Sequence, residues 1–161
     1  MPLTCEALHV CPQLELSWVR AAGGASFARH THDEYVLGAN LSGHERIWLD
    51  GRELDVLPGQ VTLYNPLAVQ GSAFGAEPVE YISVHLSAEA LCQVIDQENL
   101  RSTRQAPSFE QGVLQHRGCS RRWQSWPRLC ARSGAGATAA VRTVARTIVS
   151  APRRAGACHR P

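Results

Sequence analysis

The chain contains no lysine; all 16 of its basic residues are arginine. That bias fits the codon usage of a GC-rich genome better than a functional choice, and no function is read from it. No Cys-x-x-Cys pair occurs among the six cysteines Cys5, Cys11, Cys92, Cys119, Cys130 and Cys158. No apolar run nears the roughly 18 residues that a membrane span requires, so no membrane partner is expected. The first ten residues have neither a basic start nor a long apolar stretch, and so lack the form of a secretory signal. A cytoplasmic address and a reducing compartment are the expectation, with the cysteines as free thiols. The sharpest absence is at the other end: the 51 residues from Gln111 onward contain no acid, where average composition would supply about six.

What is present divides the same way. The 161 residues are about one domain's worth, with 44% apolar and 19% charged residues. Residues 1–100 hold 4 arginines against 13 acids, whereas residues 101–161 hold 12 arginines against 1 acid. Val, Ile, Leu, Met and Phe number 29 in the first part and 8 in the second, so a core can be built only from the first. The expected organisation is a folded domain over 1–100, able to fold alone, and an Arg-rich tail over 101–161 that is disordered or out of frame. Ten arginines among Ala, Gly, Ser and Pro is the composition that out-of-frame reading of GC-rich DNA gives; a genuine basic tail is the competing explanation.

Within the first part, Leu14, Leu16 and Trp18 alternate with Glu15 and Ser17, the period of a half-buried strand. Gly23 and Gly24 break it, and residues 30–41 form a second β-rich stretch closed by Ser42 and Gly43. Ile47-Trp48-Leu49 and Arg52-Glu53-Leu54 flank Asp50-Gly51, a two-residue loop suited to a tight hairpin. Pro58-Gly59 opens a strand at residues 60–64, Asn65-Pro66 ends it, and a last strand fits residues 79–86. After Ser87, a capping residue, the period changes: Ala88, Leu91, Cys92 and Ile95 give an amphipathic helix over residues 87–99. Short strands with regular turns and no intervening helices predict a mainly β sandwich or barrel followed by at least one helix.

His30 and His32 stand two apart, so on a strand their side chains share one face and can converge. Alone, His-x-His is more often a structural pair than a ligand pair. Around it, however, Gly24, five residues, His30-Thr31-His32 and then Gly43 follow the first cupin motif, and Gly51, six residues, Pro58-Gly59 and Asn65-Pro66 follow the second. The string over residues 30–43, the Gly-Arg-Glu-Leu turn, the Pro-Gly-Gln-Val-Thr-Leu-Tyr-Asn-Pro segment and the Tyr-Ile-Ser-Val-His-Leu strand are similar to the N-terminal effector-binding domain of AraC-type transcription regulators. The likeness covers about residues 5–100 and implies a cupin-like jelly-roll barrel.

Metal-binding cupins hold their ion with three His and one Glu, and this sequence departs from that set. The carboxylate position falls on Val36 or Leu37, although Glu34 shares the histidines' face if no bulge intervenes, and the remaining His is Gln70 or is absent. Two imidazoles without a third ligand make a poor divalent site, so neither metal nor cofactor is expected. The resemblance implies instead a pocket for a small-molecule effector, with His30, His32, Trp48, Tyr64, Tyr81 and His85 as candidate lining. For the aromatics, ordinary core or surface positions are the alternative; for His85, a solvent face. The helix implies a possible homodimer, against the simpler role of capping the barrel. The Arg-rich end lacks paired helices around a turn, so DNA would be reached only through a missing C-terminal domain. The expectation is a ligand-sensing or dimerisation domain that is not an enzyme, set against two rivals: a small metal-dependent cupin dioxygenase or isomerase, and a non-specific nucleic-acid binder.

Overall fold

The computed structural model describes residues 3–97 and 107–114. Two antiparallel sheets face each other. The larger takes β1 (Thr4–Cys11), β2 (Leu14–Ala21), β9 (Val79–Leu86), β4 (Tyr35–Ser42), β7 (Val61–Tyr64) and β10 (Gly112–Leu114) in that order; the smaller takes β3 (Ser26–His30), β8 (Gln70–Phe74), β5 (Glu45–Leu49) and β6 (Arg52–Val56). The helix α1 (Ala88–Gln97) follows β9. The mainly β, jelly-roll expectation holds, with one helix among the described residues.

Local chemistry fixes the corners. Asp50 and Gly51 both take positive φ, 46° and 82°, which closes the β5–β6 hairpin that Asp-Gly predicts. Gly43 has φ 79°, and a Cβ there would lie 2.5 Å from the Pro78 carbonyl oxygen, so only glycine lets these two turns pass. Ser87 Oγ accepts from the Ala90 amide at 3.1 Å and caps α1. Residues 98 and 99, to which the expected helix ran, lie outside the described residues, as do residues 100–106 and 115–161 with Cys119, Cys130 and Cys158.

Both faces of the larger sheet are covered. Tyr35, Leu37, Ile82, Val84 and Leu86 pack on one side against Ala90, Leu91 and Ile95 of α1, which uses the helix's apolar stripe within the chain. On the other side Val36 and Tyr64 meet Ile47, Leu49 and Val56 of the smaller sheet. The barrel extends past the boundary at residue 100. Phe109 is fully buried, its ring edge-on to Tyr35 at 5.8 Å, and β10 pairs with β7. Asn65 clamps this segment: its Nδ2 donates to the Phe109 carbonyl at 2.8 Å, and its Oδ1 accepts from the Phe109 amide at 2.9 Å. Neither the three-residue β10 nor the single Phe109 carries a period visible in the sequence.

One element is corrected. The single strand expected over residues 30–41 is two, because β3 pairs with β8 in the smaller sheet and β4 pairs with β7 and β9 in the larger. The chain crosses between sheets at residues 31–34, so His30, His32 and Glu34 do not share one strand face.

Candidate functional site

A cavity of about 220 Å³ opens between the sheets. Strand β9 sets its polarity: Ile82, Val84 and Leu86 turn toward α1, so the alternate residues Tyr81, Ser83 and His85 turn into the cavity. Gly38 supplies room, since a Cβ there would lie 2.7 Å from Thr62 Oγ1.

Three imidazoles meet at one end. His30 ends β3, His32 stands in the crossing segment, and His85 comes from β9, where it is paired in register with Val36. The rings of His30 and His32 are edge-to-face at 4.9 Å, and those of His32 and His85 at 4.6 Å. The Leu67 amide donates to the His32 carbonyl at 2.7 Å and ties the crossing to the turn after β7. His30 Nδ1 lies 2.7 Å from the Ala28 carbonyl, which requires the proton on Nδ1. His85 Nε2 lies 3.2 Å from Ser83 Oγ. Burial, and then the neighbouring His85 and His30, hold the His32 pKa below the usual imidazole value; burial does the same to His85 against the opposing charges of Glu15 and Glu34. Both shifts favour the neutral ring.

A buried acid marks the other end. Glu45 on β5 faces inward with Ile47 and Leu49, and Ser72 Oγ donates to it at 2.6 Å. Burial raises its pKa, and among the described residues no ion pair involves it. Burial, followed by the charge of Glu45, raises the pKa values of Tyr64 and Tyr81.

Of the six candidate lining residues, His30, His32, Tyr64, Tyr81 and His85 surround this cavity. Trp48 is corrected: β5 alternates, so Trp48 and Arg46 face outward, and the Arg29 guanidinium stacks on the Trp48 ring at 3.8 Å. Sequence reasoning missed Glu45, although its spacing from Ile47 and Leu49 places it on the core face. The usual four-ligand cupin set is not assembled: Val36 is aliphatic, and the buried Gln70 offers a carboxamide beside His30 in register. A different grouping is present that the sequence reading did not assemble, because it takes His85 from β9. Ligand atoms of His32, Glu34 and His85 all lie within 4.8 Å of one another.

A family model described as an AraC-like ligand binding domain matches residues 20–143. Among solved structures, a cupin superfamily protein from Desulfitobacterium hafniense is similar at 20% identity and TM-score 0.51, over 53% of this chain and 78% of that one. KdgF from Halomonas sp. is similar at 18% identity and TM-score 0.50, over 52% and 77%. The DMSP lyase DddQ from Ruegeria pomeroyi is similar at 14% identity and TM-score 0.50, over 53% and 47%. At these identities the likeness establishes the cupin fold alone. None of the curated proteins compared with the chain matches it.

Proposed function

The chain belongs to the AraC-like ligand binding domain family, and from that premise we propose that it is the effector-sensing module of a transcription regulator and not an enzyme. The effector is a small molecule that sits between the two sheets. The observation that carries this is the cavity itself: aromatic walls with a few placed polar groups, the composition of a small-molecule site. Its volume of about 220 Å³ lies below the roughly 300–1,000 Å³ of most ligand pockets, so the effector is of metabolite size. The module acts as a homodimer in the cytoplasm and reaches DNA through a separate helix-turn-helix domain. A small metal-dependent cupin enzyme is the second reading, favoured by the cluster of His32, Glu34 and His85.

A metabolite panel scored by thermal shift separates the two. Sensing predicts a compound that stabilises the fold, by about 2.7 kcal/mol at a hundredfold excess over Kd, and is recovered unchanged. Ser83→Phe, which fills the cavity, abolishes the shift, while Trp48→Ala on the outer face keeps it. Turnover of the stabilising compound would establish the enzyme reading instead.

A further inference from the structure

We propose that His32, Glu34 and His85 form a binding site for one divalent first-row metal ion of the zinc and iron(II) class, displaced from the position the cupin pattern would use. The three side chains come from two elements that the fold brings together. His32 and Glu34 lie on the crossing between β3 and β4, and His85 lies on β9, which pairs with β4. Their ligand atoms lie within 4.8 Å of one another, all three residues are half-buried, and His32 and His85 line the cavity wall. Metal–ligand bonds of about 2.0–2.2 Å place the donors around one ion roughly 3–3.5 Å apart. The remaining closure is within reach of side-chain rotation in this crossing, whose backbone the Leu67 amide holds at the His32 carbonyl.

Donor chemistry supports the same ion class. Two imidazoles and one carboxylate suit zinc, iron(II), cobalt and nickel, whereas magnesium and calcium prefer all-oxygen sets. With the proton of His85 on Nε2, that nitrogen donates to Ser83 Oγ and leaves Nδ1 as the ligating atom, the outer partner a metal-bound histidine commonly has. Three protein ligands leave further coordination positions open toward the cavity. His30 stands outside the group, its Nδ1 committed to the Ala28 carbonyl. The site holds whether the cavity serves sensing or catalysis.

Titration of the full chain, stripped with EDTA, with Zn²⁺ alone by calorimetry and with Co²⁺ by visible absorption tests the proposal. One equivalent binds, and Co²⁺ gives d–d bands of a site with nitrogen and oxygen donors. His32→Ala, His85→Ala and Glu34→Gln each weaken binding at least tenfold, with circular dichroism confirming the fold; Glu34→Gln, the most conservative change, decides if the histidine variants unfold. His44→Ala, at an exposed imidazole paired with Asp55, leaves affinity unchanged. Absence of Zn²⁺ binding, retention of binding in the His32→Ala, His85→Ala double variant, or thiolate charge-transfer bands with Co²⁺ would each overturn it. An equal loss in His30→Ala would overturn it too, by moving the site to the His-x-His pair.

Discussion

A carboxyl that burial holds above its ordinary range keeps its proton more tightly in the folded chain than in the unfolded one. Glu45 is such a group, raised above the ordinary value of 4.5. Its stabilising contribution is complete below that value and is lost as pH rises through the folded pKa, where the ionised form must be kept out of water. Glu45→Gln keeps the shape and an acceptor for Ser72 Oγ but cannot ionise. The variant therefore gains stability relative to wild type as pH rises from about 4 toward 7, measured as thermal midpoints across that range. A difference that stays constant, or that shrinks toward neutrality, contradicts the assignment. At this scale the sequence was half legible. His30 and His32 declared themselves by spacing, and Glu45 was readable from its alternation with Ile47 and Leu49. His85 as a partner of His32 was not, because that contact depends on which strand β9 pairs with, and nothing local to His85 specifies β4.

Elements announced by turn chemistry were legible, and those held by distant partners were not. Asp50-Gly51 and Ser87 state the hairpin and the helix start in one or two residues, since each acts on its own backbone. Ser87→Ala accordingly costs about 1 kcal/mol in denaturant unfolding, the usual worth of a cap. The segment around Phe109 is of the other kind. It is held by Asn65, by the ring of Tyr35, and by the Tyr35 hydroxyl, which donates to the Pro107 carbonyl at 2.5 Å. The separation of 44 residues between Asn65 and Phe109 hides such a contact from any local pattern. Phe109→Ala removes a fully buried ring and lowers unfolding free energy by about 3–5 kcal/mol. An effect below about 1 kcal/mol would return the barrel's edge to residue 100. The crossing at residues 31–34 was misread as strand because β-prone residues continue on both sides, while the change of sheet is a tertiary requirement.

At the scale of the molecule, the helix, both sheets and the segment at 107–114 share buried surface, so they unfold together. Denaturant curves followed by far-UV circular dichroism and by tryptophan fluorescence superimpose for the wild type, and Phe109→Ala shifts both by the same amount; separate transitions would show that the clusters on the two faces of the larger sheet are independent units. The barrel class was legible because several breakers and one tight hairpin leave no room for a βαβ arrangement, but strand order was not, since pairing lies in contacts far apart along the chain. Strand β9 has a mechanical consequence. Its odd-numbered residues Tyr81, Ser83 and His85 look into the cavity, while Ile82, Val84 and Leu86 bear on the layer beneath α1. A rigid strand cannot move one set without the other. Any occupant that draws His85 inward therefore pulls the floor on which α1 rests, and the stroke is delivered across a single strand's thickness to the outside of the barrel.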